Sequence, residues 1–212
     1  MSLQNRVDPW GMLKAVSSRG AWLGNRGILH NEDKELIAPW RHKSWVTCQL
    51  KFNNRKREIF SPGKYSELFF LDEATALSAG HRPCAECRRQ RYNEFKNLWL
   101  KSITDLESIS VAEIDKQLHA ERAARGGVKV KHTCTFEKLP EGAFIEIGDE
   151  AFLFWNGRLK KWSFDGYVGS VSLPPKNEVV RLLTPPSIVE LLNNGFVPQV
   201  HESAISYESA IS

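Results

Sequence analysis

The amino-acid sequence predicts an α+β fold, because helix signals occur together in the middle of the chain and antiparallel strand signals lie on either side. Helices are indicated at 72–80, 85–100 and 110–125, and strands at 44–60 and 143–183. The pattern lacks the regular strand–helix–strand alternation that is typical of a parallel sheet. We therefore expect short helices with antiparallel β-hairpins, arranged as one compact unit or as two closely packed parts.

The N-terminal strand signals follow an irregular start. The first forty residues mix Gly, Pro and Trp with little periodicity, which favours irregular structure. Residues 44–52 and 57–60 are then expected to pair as a hairpin through a turn at Asn53 and Asn54, because Asn tolerates the left-handed conformation of tight turns.

Three helices are predicted from their end signals. Asp72 can cap a short helix that ends at Gly80. The next helix is expected from about 85 to 100, with aromatic side chains at core spacing. Ser110 and Glu113 form a capping box, so a third helix should begin there and end near 125.

The C-terminal half is predicted to be rich in strands. Asn156-Gly157 is a strong hairpin signal between two strand-like segments, and Pro185-Pro186 should open a short helix over 188–192. The repeated ESAIS segment offers little apolar surface, so we expect a disordered tail over 201–212. The predicted strands cover 143–147, 151–155, 158–162 and 179–183.

Composition indicates the class of protein. The 212 residues are 42% hydrophobic and 25% charged, which is typical of a globular chain and excludes collagen-like, coiled-coil and disordered proteins. No apolar run approaches the roughly 18 to 20 residues of a membrane span. Because the N-terminus also lacks a secretory signal, we expect a cytoplasmic protein without a membrane partner.

Charge is distributed unevenly along the chain. Residues 1–101 hold 18 Lys and Arg against 10 Asp and Glu, whereas residues 102–212 hold 11 against 15. This change of sign suggests a soft division into a basic part, 1–105, and a part with one helix and many strands, 106–200. The basic part is the one expected to meet an anionic partner.

Four cysteines in a reducing compartment need an explanation other than disulfides. Cys84 and Cys87 form a CxxC knuckle directly before a predicted helix, which suits half of a tetrahedral zinc site. A redox pair and simple burial are the alternatives, although no βαβ pattern supports the redox interpretation. Cys48 is the best third ligand.

The fourth ligand is left open between three side chains. We expect His42, which lies six residues before Cys48 and could reach the same site. The other two candidates are His81, beside the knuckle, and Cys134, remote in sequence. The sequence thus predicts a small zinc-binding module in the N-terminal part.

The knuckle belongs to a longer motif between residues 67 and 89. Its distinctive positions are Phe69, Phe70, Glu73, Ala74, Ala79, Gly80, Arg82, Pro83, Cys84 and Cys87. This pattern resembles the second half of the Ada-type zinc-binding domain, over about 42–91. The resemblance implies a zinc module that contacts the DNA backbone and repairs methylated phosphotriesters by transferring the methyl group to a zinc-bound cysteine.

The sequence departs from the family pattern in three places. Ser44 stands where the family has a first ligand, the segment between Cys48 and the knuckle is longer, and His81 replaces an aromatic residue. Of the properties that the resemblance implies, we therefore expect zinc binding in this protein but not methyl transfer. The Glu-Leu-Phe-Phe-Leu-Asp-Glu-Ala block at 67–74 is also similar to a family of bacterial proteins of unknown function.

A second group of chemical residues lies on the helix that begins at Ser110. Asp115 and His119 are i,i+4 neighbours, so the carboxylate could orient the imidazole as a general base or metal ligand. Arg122 could clamp an anion such as phosphate. These three residues suggest a metal-assisted hydrolase or nuclease-like enzyme, and the alternative is a semi-buried polar network that stabilises the helix.

Basic residues of the N-terminal part indicate nucleic acid as a partner. Trp40 and Trp45 flank cations, which suits base stacking and phosphate neutralisation, whereas a solvated basic hairpin is the plainer interpretation. We expect a zinc-binding protein that associates with DNA or another nucleic acid, and a structural interaction protein is a further alternative. The expected phosphate contacts are Arg41, Lys43, Arg55, Lys56, Arg57, Arg88, Arg89 and Arg91.

Overall fold

The computed structural model describes residues 2–54 and 58–205. Within these residues the chain forms four α-helices and two six-stranded sheets of mostly antiparallel strands, which confirms the predicted α+β class. Arg55, Lys56 and Arg57 lie outside the described residues, as does most of the repeated tail.

The first sheet is built entirely from the N-terminal part of the chain. Its order is β2-β1-β5-β3-β4-β6, so β4 lies between β3, which is antiparallel to it, and β6, which is parallel. The cysteine knuckle therefore follows the edge strand next to β4. The strands are β1 (Arg6–Val7), β2 (Leu13–Lys14), β3 (Trp22–Asn25), β4 (Val46–Cys48), β5 (Leu68–Phe70) and β6 (Arg82–Pro83).

The strand pairing predicted between 44–52 and 57–60 is wrong, whereas the predicted turn at Asn53 and Asn54 is present, with a φ of 52° at both residues. Of the first predicted strand, 44–52, only the three residues of β4 are a strand in the structure. Residues 58–60 form a turn in which Phe60 is buried with a φ of 60°. The partners of β4 are instead β3 and β6. Long-range pairing thus determines the partners of β4, and β1 to β3 arise in the segment that was predicted to be irregular.

The helices are α1 (Glu73–Ser78), α2 (Arg89–Ser102), α3 (Val111–Arg122) and α4 (Pro186–Asn193). Both predicted caps are confirmed, because the Asp72 side chain accepts from the backbone of Thr75 and Ser110 forms a capping box with Glu113. Helix α2 begins four residues later than predicted, since residues 85–88 form the turn that carries the second knuckle cysteine.

The second sheet is antiparallel and has the order β11-β10-β9-β8-β12-β7. The hairpin between β9 and β10 is confirmed, and Asn156 and Gly157 in its turn have φ values of 50° and 67°. Strands β7 and β11 were not predicted. The strands are β7 (His132–Thr135), β8 (Phe144–Ile147), β9 (Glu150–Trp155), β10 (Arg158–Ser163), β11 (Gly166–Val171) and β12 (Val179–Leu182).

A continuous core crosses the division suggested near residue 105. Phe95 and Trp99 of α2 pack in one hydrophobic cluster with Ile114 of α3, Ile145 of β8 and Ile188 of α4. The described part of the predicted tail, 201–205, contains a 3-10 turn with Ala204 buried. None of the described helices is both long enough and apolar enough to cross a membrane.

Candidate metal centre

Three cysteine side chains meet where β4 runs beside β6. The parallel pairing sets Thr47 opposite Pro83, so Cys48 at the end of β4 lies next to Cys84, which follows β6. The turn after Cys84 then brings Cys87 back to the same place. All three sulfur atoms lie within 4.8 Å of one another, and all three residues are half-buried.

Hydrogen bonds to sulfur favour negative charge at this cluster. The backbone amides of Glu86 and Gln49 donate to the sulfur atoms of Cys84 and Cys87, each at 3.4 Å. Hydrogen bonds with Cys48 and Cys87 hold the pKa of Cys84 well below its usual range, whereas the hydrogen bond with Cys84 raises the pKa of Cys48. A cation fits this arrangement, because metal binding displaces the remaining thiol protons.

The three candidates for a fourth ligand lie elsewhere. Within the described part of the chain, the sulfur group does not include His42, which packs beside Gly27. His81 is fully buried, and its Nε2 atom accepts from Arg26 at 3.1 Å. Cys134 is on β7 of the other sheet. The structure therefore brings together three of the four predicted ligands.

A cavity of about 480 Å³ borders the three cysteines. Its lining includes the polar side chains of Asn25, Tyr65, Glu67 and Glu86, and the apolar side chains of Leu50, Phe52 and Ile59. A metal ion among the sulfurs would consequently border a partly polar cavity rather than lie within packed core.

The second predicted group, on α3, does not form the expected pair. Both carboxylate oxygens of Asp115 accept from Arg82, at 2.7 Å and 2.8 Å, so the carboxylate is directed at a guanidinium rather than at His119. His119 instead contacts the ring of Trp40, with centroids 4.5 Å apart. Burial, and then the charge of Arg122, lower the pKa of His119 to about 4, so the imidazole is neutral at pH 7.

Arg122 is a buried structural cation rather than an open anion clamp. It donates to the backbone carbonyl oxygens of Gly80 and Lys43 and lies over the ring of Trp45, 4.2 Å from its centroid. Gly80 has a φ of 84°, and a Cβ atom there would lie 2.4 Å from Cδ of Arg122. Close packing of backbone against this side chain thus excludes a larger residue.

The predicted phosphate-contacting residues separate into two classes. Arg88 is buried, donates to Glu73 at 2.7 Å and lies over the ring of Trp22, while Arg91 pairs with Glu73 and Glu94. Because carboxylates already pair with both guanidinium groups, the structure does not support either arginine as a phosphate contact. Among the described residues, the predicted phosphate contacts that are exposed to solvent are Arg41, Lys43 and Arg89.

Sequence reasoning missed the acidic partners of these arginines. Glu73 is fully buried and pairs with both Arg88 and Arg91, and its Oε2 atom also accepts from the backbone of Gln199. A buried carboxylate that is surrounded by arginines leaves no local signal beyond an ordinary Glu in the first turn of a helix.

The fold and this centre define the class as an α+β protein with a three-cysteine cluster that could hold a metal ion. Comparisons of the chain with protein-family models, with curated proteins and with solved structures give no match. The resemblance to the Ada-type domain accordingly rests on the motif residues alone.

Proposed function

We propose that the protein binds one zinc ion through the thiolates of Cys48, Cys84 and Cys87. The observation that carries this proposal is the approach of three sulfur atoms within 4.8 Å, from segments more than thirty residues apart in sequence. Tetrahedral zinc with bonds of about 2.3 Å holds its sulfurs at slightly shorter separations, so little movement is needed. Thiolate-rich sites favour zinc over magnesium, calcium or manganese.

The role proposed for zinc is mainly structural. Bound zinc would neutralise the thiolates and tie β4 to the turn before α2. The two amide donors to sulfur and the buried pairing of Arg88 with Glu73 already position that turn. Because thiolate ligands must stay reduced, the proposal also places the protein in the cytoplasm.

Metal content of the purified protein, measured by mass spectrometry, tests the proposal. Wild type should carry one equivalent of zinc, and Cys84→Ser and Cys48→Ser should lose it. Cys134→Ser is the matched control, because it removes an equally half-buried thiol from the other sheet and should retain zinc. His42→Ala and His81→Ala should also retain zinc. Wild type that takes up no zinc, even after incubation with the ion, would contradict the proposal.

We further propose that the protein associates with nucleic acid through the exposed cations Arg41, Lys43 and Arg89. Their exposure supports this, together with the excess of cations in the N-terminal half. Phosphate contacts of this kind release counterions, so affinity for a short DNA duplex should fall steeply between about 50 and 200 mM salt.

Fluorescence anisotropy with labelled duplex and single strands tests this association. Replacing Arg41, Lys43 and Arg89 by Ala should weaken binding and reduce the salt dependence. The matched control replaces three exposed cations of the other half, Lys116, Lys131 and Lys138, and should change neither quantity. Equal losses in the two triple variants would show that only net charge matters.

The alternative of a hydrolase that uses Asp115, His119 and Arg122 is less well supported. Asp115 is engaged by Arg82, and Arg122 is engaged by two backbone carbonyls. These contacts favour the polar-network interpretation of α3. A phosphodiesterase assay with His119→Ala distinguishes the two, because only the enzyme would lose turnover on this substitution.

A further inference from the structure

A second cavity, of about 540 Å³, shares no lining residue with the cavity beside the cysteines. It lies between the N-terminal segment 10–13, the loop 36–39 and the loop 126–129. Aromatic and aliphatic side chains form most of its walls, and Arg26 and Lys129 supply its cationic groups. This volume is within the range of cavities that bind small organic molecules.

Arg26 lines this cavity, and one nitrogen atom of its guanidinium group lacks a hydrogen-bond acceptor in the part of the chain that the structure describes. The residue is 2% exposed, its Nη1 atom donates to the carbonyl of Gly11 at 2.9 Å, and its Nε atom donates to His81. The Nη2 atom is buried and finds no acceptor among the described residues. It lies 3.5 Å from the point that a Cβ atom on Gly11 would occupy, and both Gly11 and Arg26 line the cavity.

The charges around the cavity do not balance. Lys129 lines the cavity near Arg26 and donates to the carbonyl of Ser78, whereas the nearby Arg122 has carboxylate partners of its own in Asp115 and Glu121. The carboxylate that acts on both Arg26 and Lys129 is Asp8, which is buried and accepts from the backbone of Met12 at 2.8 Å. Within the described part of the chain, Arg26 and Lys129 therefore share one carboxylate, and a buried excess of positive charge favours an anion.

The mouth of the cavity is apolar although it faces solvent. Met12, Ile37 and Val128 line the cavity and are 47%, 56% and 62% exposed. Trp10 and Trp45 stand on its walls, and Trp45 also packs against the guanidinium of Arg26 at 4.0 Å. Apolar side chains exposed around a concave site are typical of a surface that a ligand covers.

We propose that this cavity binds a small organic anion whose carboxylate or phosphate group pairs with Arg26 and Lys129 and whose apolar body lies between Trp10 and Trp45. The head group supplies the acceptor that Arg26 Nη2 lacks. The apolar body of the ligand would cover the exposed apolar side chains at the mouth of the cavity and so exclude water from them. This assignment is independent of the zinc proposal, because the two cavities have no residue in common.

Isothermal titration with four probes tests the assignment. Phenylbutyrate and phenyl phosphate represent the two head groups, phenylbutyramide is the uncharged analogue, and inorganic phosphate lacks the apolar body. At least one of the two aromatic anions should bind, and the tighter one identifies the head group. The amide and inorganic phosphate should each bind at least about ten-fold more weakly, since each loses one half of the interaction.

Two variants connect the binding to this cavity. Lys129→Met should weaken binding of the tighter anion about ten-fold and leave the affinity for the amide unchanged. Val128→Glu places a negative charge at the exposed mouth and should reduce anion binding without disturbing the core. Val197→Glu is the matched control, since Val197 is 61% exposed and does not line the cavity, and it should bind like wild type.

Three outcomes would overturn the proposal. The first is that neither aromatic anion binds to wild type. The second is that the amide binds as tightly as the anions. The third is that Val128→Glu and Val197→Glu bind the tighter anion equally well. Thermal unfolding of each variant confirms that it is folded before its affinity is compared.

Discussion

Arg82 and Asp115 form a buried ion pair with two parallel hydrogen bonds. The exposed fractions of their side chains are 4% and 7%, and the pair joins β6, directly before the cysteine knuckle, to α3. Arg82 also donates to the hydroxyl of Ser44 at 3.0 Å. The hydroxyl of Ser44 thus provides a further acceptor for the buried guanidinium.

Removing one partner of this pair should be strongly destabilising. Asp115→Ala leaves the guanidinium of Arg82 buried without its carboxylate, which costs about 3 to 5 kcal/mol in comparable cases. Urea unfolding followed by tryptophan fluorescence measures the loss. The control is Glu58→Ala, which breaks an exposed pair with Lys34 and should not change stability measurably. Similar losses in the two variants would mean that the buried pair is solvated.

Lys129 predicts a dependence of stability on pH. Burial and the charge of Arg26 lower the pKa of Lys129 from 10.5 to about 7, although Asp8 acts in the opposite direction. Between these values the unfolded chain binds a proton that the folded protein does not. The free energy of unfolding should therefore rise with pH from about 7 to 10.5, and Lys129 should contribute no slope below about 7.

Comparison with Lys129→Met isolates this contribution. The difference in free energy of unfolding between wild type and the variant should increase with pH, with a slope of at most about 1.4 kcal/mol per pH unit. Titrating groups that do not interact with Lys129 cancel in the difference. A difference that stays constant across the window would show that the ammonium group is hydrated in the folded protein.

At the scale of elements, α1 is attached to the rest of the molecule through its cap. The carboxylate of Asp72 accepts from the amide and hydroxyl of Thr75, from the hydroxyl of Tyr167 at 2.7 Å and from the amide of His201 at 3.0 Å. One side chain thus joins α1 to β11 and to the C-terminal segment. Burial raises the pKa of Asp72, and these four donors act against that shift.

The two predicted helix caps should differ in their importance. Asp72→Ala leaves several buried donors without an acceptor and should cost about 3 kcal/mol or more. Ser110→Ala removes an exposed cap and should cost about 1 kcal/mol. Chemical denaturation of both variants gives the comparison. If their costs were equal, Asp72 would act as a local cap only.

Elements with local signals could be predicted from the sequence, and elements without them could not. Asp72, Ser110 and Asn156-Gly157 each determine a cap or turn within a few residues, and all three were identified. Strands β1 and β2 have two residues each, which is too short for any periodicity. The position of β1 depends on pairing with β5, more than fifty residues away in sequence, and β2 is placed in turn by pairing with β1.

The same distinction applies to the sites. The CxxC knuckle is a local motif, and Cys48 could be added because it lies on a strand-like segment. Arg26, Lys129 and Asp8 come together only through the fold, so no spacing in the sequence indicates their cavity. Arg88 and Arg91 were assigned to phosphates because their buried partner, Glu73, is recognisable only in three dimensions.

At the scale of the whole molecule, zinc should stabilise the folded state. A ligand that binds only the folded protein adds free energy by mass action, about 2.7 kcal/mol at a hundred-fold excess over its Kd. For a chain of this size we expect zinc to raise Tm by at least about 5 °C relative to chelator-treated protein. Cys84→Ser should abolish the rise and Cys134→Ser should preserve it. An unchanged Tm in wild type would exclude structural zinc.

The shared core further predicts that the two halves of the chain fold together. Phe95 and Trp99 are fully buried against Ile114, Ile145 and other residues beyond position 105. A fragment of residues 1–105 would expose these side chains to water, so it should lack a cooperative unfolding transition.

A protease site inserted in the exposed loop at 105–108 allows the test within the intact fold. After cleavage the two pieces should remain associated on size-exclusion chromatography and unfold in one calorimetric transition, because the interface between them is the core itself. The uncleaved protein with the same insertion is the control. Separate elution of the pieces, or an independent transition in fragment 1–105, would show instead that the division in charge near residue 105 is a boundary between domains.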